Sequence, residues 1–330
     1  MNSKSQERPL VSFLLVAYQQ EQFIREALEG AFAQTYSPLE IILSDDCSPD
    51  GTFAIMQKMA GAYRGPHQVR ARQTSRNLGL SSHLDDVAGI ARGQWLVIAA
   101  GDDISLPDRV ANHLRLVQKH PRACSTFLSP ITLGSALSGN TVPKIKPCVL
   151  RYPETLKRHG GGALGATHAI KKSCWQVFGD LGNGLTCEDW ALAFRSSLIG
   201  EVVLDDCPGV RYRLHEQSIT SQNFGAHNFV RQLRVECNAL KQFSRDLSTA
   251  IQAGHVSAES GAAGLLWLSS AIKSNQRILA CLEAGTAWDF LKTCARMLTC
   301  RDFVVGNYRR RLGVVGSALQ RRLAGGKREA

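Results

Sequence analysis

Leu39-Glu40-Ile41-Ile42-Leu43-Ser44-Asp45-Asp46-Cys47-Ser48-Pro49-Asp50-Gly51-Thr52 is the stretch that decides the fold. The run at 39–43, apolar except for Glu40, is too short for a helix and suits a strand buried in a parallel sheet. The Ser, Pro, Asp and Gly at 48–52 read as a turn able to start a helix, which the pattern at 53–62 continues. Two carboxylates therefore stand just past the carboxyl end of a buried strand, where open α/β sheets bind their ligands.

The same rhythm extends on both sides. Residues 11–16 are apolar apart from one Ser and read as a strand. Phe23, Ile24, Ala27, Leu28 and Ala31 give one face of a helix over 21–34. Residues 69–73 form a weaker strand pattern, and Leu84, Val87, Ala88 and Ala91 the inner face of another helix. Trp95-Leu96-Val97-Ile98-Ala99-Ala100 is a fourth strand, ending on Gly101-Asp102-Asp103, and Val110, Leu114 and Val117 mark a helix over 107–120. Alternating strands and helices with tight links predict an α/β protein with a mainly parallel sheet flanked by helices. After Ser129 the pattern turns irregular, with Gly134, Gly139, Pro143 and Pro147, then Gly160-Gly161-Gly162-Ala163-Leu164-Gly165, which reads as a mobile, substrate-contacting loop region. Helical patterns dominate from about Phe229, which predicts a boundary near Gly225.

Composition narrows the function classes. With 44% hydrophobic and 20% charged residues over 330 positions, the chain has enough apolar surface to bury and is not a disordered polymer. Ten cysteines occur without a CxxC pair, and 1–8 lacks the apolar core of a secretory signal, so reduced thiols and a cytoplasmic location are expected. No stretch reaches the roughly 20 apolar residues of a membrane span, so the protein is expected to be soluble or peripheral. Net charge is +11, yet the last 36 residues hold nine basic residues against Asp302 and Glu329, leaving +4 for the other 294. Basicity thus belongs to the tail, and no nucleic-acid partner is expected for the main body.

Three acidic pairs carry the candidate chemistry, and each has a plainer reading beside it. Asp45-Asp46 suits a base and ribose, or is a polar turn. Asp102-Asp103 suits a divalent cation held against a diphosphate, or caps the next helix. Glu188-Asp189 opens a helical pattern, where the helix dipole would lower the carboxyl pKa; the pair is either an acid–base group or first-turn charge. A phosphate loop of the GxxxxGK[ST] kind is absent, as is an Asp-x-Asp-x-Thr motif at Asp45. Cys47 has no His near it in sequence and is assigned no role.

Taken in order, Pro9-Leu10-Val11-Ser12-Phe13-Leu14-Leu15-Val16-Ala17-Tyr18, Gln34-Thr35-Tyr36, Asp45-Asp46-Cys47-Ser48-Pro49-Asp50-Gly51-Thr52, Asn77-Leu78-Gly79, Ala91-Arg92-Gly93, Gly101-Asp102-Asp103, Glu188-Asp189 and Tyr212-Arg213-Leu214-His215 resemble the inverting family 2 glycosyltransferases of the GT-A fold, over roughly 9–221. The resemblance implies a metal-dependent transfer of a sugar from a nucleotide diphosphate donor to a hydroxyl of a glycan or lipid-linked saccharide, in cell-surface polysaccharide synthesis. It implies a catalytic domain over 1–225, with a nucleotide-binding half (9–128) and an acceptor half (129–225), and a helical basic extension over 226–330.

By the same resemblance, Val16 and Tyr18 would line the nucleotide site and Asp45 would accept a hydrogen bond from the base. Asp102 would lie near the ribose, and Asp103 would be the direct ligand of Mn²⁺ or Mg²⁺. Asp189, with Glu188 beside it, would be the general base. Arg213 would neutralise diphosphate. His215 would either ligate the metal as a neutral imidazole or pair with phosphate when protonated.

Two positions depart from the pattern. Ala100 stands where the commoner Asp-x-Asp form has its first carboxylate, and Leu84 stands where many relatives carry an Arg. An inactive nucleotide-sugar-binding scaffold is the alternative these departures keep open. In the tail, Val304, Tyr308, Leu312, Val315, Leu319 and Leu323 recur at helical spacing beside Arg309, Arg310 and Arg321, reading either as a peripheral membrane contact or as a stripe packed on the domain.

Overall fold

Parallel strands that are buried on both faces organise the first half of the chain. The structure, a computed structural model, describes residues 8–133, 145–158, 164–215, 218 and 229–284. The glycine-rich 160–162 stretch, the region of Gly134, Gly139 and Pro143, and the apolar-basic stripe of 304–323 lie outside the described residues. Strands β1 (Val11–Ala17) and β2 (Leu39–Asp45) are buried at every position, which is why both read as continuous apolar runs. Beside them lie β3 (Gln68–Gln73) and β4 (Trp95–Ala100), and β1 to β4 pair in parallel in the order β3-β2-β1-β4. The edge strand β3 is only partly buried, which accounts for its weaker pattern.

Helices cover both faces. Val11, Phe13 and Leu15 share one core with Ile24 and Leu28 of α1 (Ile24–Phe32), Met56 of α2 (Thr52–Ala62), and Val110 and Leu114 of α4 (Arg109–Lys119). Alternation sends the intervening side chains to the opposite face. There α3 (Leu80–Ile90) packs, with His83 Nε2 2.7 Å from Ser44 Oγ. Leu84 is fully buried in that layer. Helix-period positions thus face the sheet from either side, as the sequence predicts.

The second half of the sheet is mixed. After β5 (Ile104–Ser105) and α4 come β6 (Ala123–Leu133), β7 (Cys148–Leu150), the short α5 (Glu154–Lys157), β8 (His168–Lys171), α6 (Lys172–Phe178), α7 (Glu188–Ile199) and β9 (Glu201–Arg213). Among the described residues the nine strands run β3-β2-β1-β4-β8-β6-β9-β5, with β7 on β9. β8 is antiparallel to β4 and β6, whereas β6 and β9 are parallel. Neither β9 nor the far half of β6 stands out in the sequence, because Pro130 and Asp205-Asp206-Cys207-Pro208-Gly209 mimic turns. In the structure they fall where the register of the pair shifts, and a bulge tolerates the residues that a flat ladder rejects.

The chain divides into two compact units, Met1–Ser269 and Ser270–Ala330. Within the first, α8 (Phe229–Gln252) packs on α7, beyond residue 225. A buried ion pair joins them: Arg195 Nε lies 3.0 Å from Asp246 Oδ2, with side chains 0% and 3% exposed. The last described helix is α9 (Ala258–Ala284). Among the described residues no helix is long and apolar enough to cross a membrane, and the described cysteines are all free thiols.

Candidate active site

The carboxyl ends of β1, β2 and β4 lie along one edge, since Ala17 is in register with Asp45 and Val16 with Ala100. Val16 is buried there, and the next residue but one, Tyr18, is 42% exposed and free to face a planar ligand. Adjacent Asp45 and Asp46 divide their work. Asp46 is structural: Oδ1 accepts the Leu78 N–H at 2.9 Å and the Thr74 hydroxyl at 3.2 Å, and Oδ2 accepts the Gly79 N–H at 2.9 Å. The Asn77-Leu78-Gly79 segment is therefore moored to the end of β2. Asp45, fully buried, accepts the Ser48 N–H at 2.8 Å, the Ser48 hydroxyl at 2.5 Å and the Gln73 amide at 2.8 Å. Gln19 and Cys47 sit at φ of 56° and 59°. This left-handed conformation costs a non-glycine residue about 1 kcal/mol. Bonds from the Gln19 N–H to Ser48 Oγ and from the Gln20 N–H to Thr52 Oγ1 hold the two loops together.

Asp102 and Asp103 meet the end of β9. Gly101 makes the approach possible: a Cβ there would lie 2.3 Å from Gln20 Oε1 and 2.8 Å from the Ala17 Cβ. Asp103 Oδ1 accepts the Arg213 N–H at 2.8 Å, Arg213 Nε donates to the Asp102 carbonyl at 3.0 Å, and His215 Nε2 lies 2.9 Å from Asp102 Oδ2. The Phe23 ring lies under the Arg213 guanidinium at 4.8 Å and against the His215 ring at 4.9 Å, while Arg213 Nη2 reaches Glu26 at 3.1 Å. Three segments far apart in sequence, at 23–26, 102–103 and 213–215, thus converge on one point. Burial, then the neighbouring Asp102, push the Asp103 carboxyl well above the usual range, against the pull of the Arg213 N–H and of Arg109 and Arg213.

Asp103 Oδ2 is buried without a hydrogen-bond partner. A hard divalent cation suits such an orphaned oxygen, and Mg²⁺ or Mn²⁺ needs only one or two carboxylates when water and phosphate oxygens complete its shell. Among the described residues no group of three His, Cys, Asp or Glu side chains is placed to hold a metal. The donor set fits a cation shared with a ligand and not a closed protein cage.

Glu188 and Asp189 open α7. β8 runs antiparallel to β4, so the turn at Gly165–Thr167 just before β8 lies toward the end of β4. Gly165 touches the pair: its missing Cβ would lie 2.3 Å from Glu188 Oε1 and 3.5 Å from the Asp189 Cβ. The expectation that the helix dipole would lower these carboxyl pKa values is overturned. Burial pushes Asp189 up to about 7 and, with the Asp189 charge, Glu188 up to about 8. Donors from the backbone N–H of Trp190 and Gly165 pull Asp189 only part of the way back. Desolvation outweighs the dipole here because the dipole's contribution is typically under 1 kcal/mol.

Residues 12–141 match the family model described as Glycosyl transferase family 2. Over these residues the chain is similar to that family. The succinoglycan biosynthesis protein ExoO of Rhizobium meliloti is 35% identical over 102 residues, 31% of this chain and 28% of ExoO. The chain spans about a third of the length of the curated relatives it matches. Among solved structures, S. aureus TarS in complex with UDP-GlcNAc superposes with a TM-score of 0.57 at 14% identity, covering 86% of this chain and 90% of that one. Mannosyltransferase PcManGT from Pyrobaculum calidifontis, in complex with GDP-Man and Mn²⁺, gives 0.53 at 14% identity, covering 96% and 87%. At such identity the likeness establishes the fold, that of the GT-A glycosyltransferases.

The two departures from the resemblance have distinct structural meanings. Leu84 points into the core and offers no contact to a ligand at the edge. Ala100 is the last residue of β4, directly beside Val16, so any missing carboxylate is missing from the edge itself. Sequence reading overlooked Arg109, which is fully buried and donates to Ser105 Oγ at 2.9 Å and the Ile98 carbonyl at 2.5 Å. An Arg beginning an amphipathic helix resembles a solvated surface residue, and nothing local distinguishes it.

Proposed function

We propose that this protein is a metal-dependent inverting glycosyltransferase that moves a sugar from a nucleotide diphosphate donor to a hydroxyl of a glycan or lipid-linked saccharide in polysaccharide synthesis. The observation that carries the reading is the convergence of Asp102, Asp103, Arg213 and His215 on the sheet edge that also bears Asp45 and Tyr18. Val16, Tyr18 and Asp45 bind the nucleoside. Asp45 presents acceptors alone when ionised, as recognition of a ring N–H requires. Asp102 lies near the ribose, His215 ligates the cation when neutral or pairs with phosphate when protonated, Arg213 adds positive charge, and Asp103 supplies the principal carboxylate for the cation. When bound, Mn²⁺ or Mg²⁺ neutralises the charge that develops on the departing diphosphate.

Asp189 accepts the proton of the acceptor hydroxyl while that oxygen attacks the anomeric carbon on the face opposite the diphosphate, giving one inversion. A carboxyl held near neutrality by burial keeps the proton it takes better than a solvated one would. Glu188 shares the buried site and raises the cost of a second charge there. The relatives and folds named above support the donor class, and ExoO's role in succinoglycan synthesis supports the polysaccharide setting. The test is a panel of UDP- and GDP-sugars, with and without Mn²⁺, read first by binding and then by transfer to saccharide acceptors. Metal-dependent binding with transfer upholds the reading. Binding without turnover across the panel makes the protein a nucleotide-sugar-binding scaffold, in keeping with Ala100 and Leu84, and no binding at all refutes both.

A further inference from the structure

The loop 179–187, which delivers the start of α7, is gripped by a helix from the nucleotide side. Asp85 of α3 accepts the Trp175 indole N–H at 3.0 Å, the Leu181 N–H at 3.0 and 2.9 Å on its two oxygens, and the Gly182 N–H at 3.3 Å. One turn earlier, Ser81 donates to the Gly182 carbonyl at 2.7 Å, and Ser82 bonds the Asn183 side chain. The loop needs such support. Gly179, Gly182 and Gly184 have φ of 68°, 77° and 81°, and glycines in this region lose the most freedom on ordering. At the loop's start, Arg195 of α7 holds the Gly179 and Asp180 carbonyls at 2.7 and 3.1 Å.

The N-terminal end of α3, about one and a half turns before Asp85, is moored by Asp46 through the N–H groups of Leu78 and Gly79. A helix transmits displacement along its length because its hydrogen bonds fix a 1.5 Å rise per residue. A continuous chain of bonds therefore runs from the end of β2, along α3, through Asp85, to the loop that places Glu188 and Asp189. Contiguity of this kind is a physical route for coupling, to be established by perturbing it.

We propose that Asp85 is a positioning residue that ties the donor-side segment anchored on Asp46 to the Glu188–Asp189 pair. The proposal rests on the reading of that pair as the base. Asp85 touches no reacting atom and acts through the loop alone. Asp85→Asn keeps the size of the side chain but turns an NH₂ toward N–H donors, so one set of bonds is lost in either amide orientation.

The test compares the full-length wild type with Asp85→Asn and, in case that variant fails to fold, Ser81→Ala. Amide hydrogen exchange should quicken about tenfold at Leu181 and Gly182, and the change should extend to Asp189 and Trp190 while β1 keeps its protection. With UDP-GlcNAc or GDP-mannose, whichever supports transfer, kcat should fall about tenfold or more, the scale of a misplaced base, with donor KM within about twofold. Ser81→Ala should repeat the pattern at smaller amplitude. Quickening confined to 181–182 with unchanged kcat overturns the proposal, as does a joint loss of kcat and donor affinity with faster exchange in β1. If the wild type transfers nothing, the transfer reading fails, and the exchange data alone decide whether Asp85 holds 188–190.

Discussion

Replacing Asp189 by Asn should stabilise the protein while abolishing transfer. The Asp189 carboxyl rises from an ordinary 3.8 to about 7. Three units correspond to roughly 4 kcal/mol by which the fold disfavours the ionised form. Asp189 keeps partial contact with solvent and shares its site with Glu188, so we expect roughly 1–2 kcal/mol to be recovered by the neutral amide. For a unit of this size that is a rise of about 2–8 °C in Tm. The sign follows from proton binding. Between pH 3.8 and 7 the folded state holds a proton that the unfolded state has released, so stability falls as pH rises through that window. The gain from Asn is therefore full above pH 7, smaller at pH 5 and absent below about 3.8. Reversible unfolding of wild type and Asp189→Asn at pH 8 and pH 5 measures it, with transfer assayed alongside. An Asp189→Asn protein less stable than wild type at pH 8, or one gaining more at pH 5 than at pH 8, would refute the claim that burial governs this carboxyl.

Three further outcomes follow from the geometry. Asp103→Asn should weaken Mn²⁺-dependent nucleotide binding at least about tenfold in calorimetry, while metal-free binding changes little; unchanged metal dependence would remove Asp103 from the cation's shell. Asp246→Ala leaves the Arg195 guanidinium buried without its carboxylate and should cost about 3–5 kcal/mol in urea unfolding, whereas Arg195→Met with Asp246→Leu should recover much of it. Gly93→Ala places a Cβ 2.4 Å from the Ser12 backbone nitrogen, where backbone cannot yield cheaply. It should cost about 1–3 kcal/mol, and a wild-type unfolding midpoint would show that β1 and the 91–94 link separate more easily than their packing suggests.

Much of the fold was legible because the first half repeats a strong signal. Strands buried on both faces must be apolar throughout, and helices lying on them must be apolar every third or fourth residue, so residues 11–120 state their own architecture. The mixed half was not legible. Its long strands β6 and β9 carry prolines, a glycine and acids at bulges, and only the partner strand turns those residues from breakers into register shifts. The acidic pairs were legible as positions, since Asp45-Asp46 and Asp102-Asp103 directly follow recognisable strands.

The surroundings of each carboxylate are visible only in three dimensions. The resemblance singles out Asp45, but the local pattern does not show what Asp46 does, because its N–H donors come from Leu78 and Gly79 in a distant loop. Nor could it give the acidity of Glu188 and Asp189: the helix start was visible, but the burial that outweighs its dipole comes from tertiary packing. By itself, then, the sequence of this protein determined the strand–helix order of its first half and the resemblance that this order carries, through local periodicity and short motifs. The tertiary structure alone decided the mixed second half of the sheet, the mooring of α3 between Asp46 and Asp85, and the proton affinity of the candidate base. Those depend on which distant groups desolvate, donate to or repel a side chain, and no local stretch of chain contains that information.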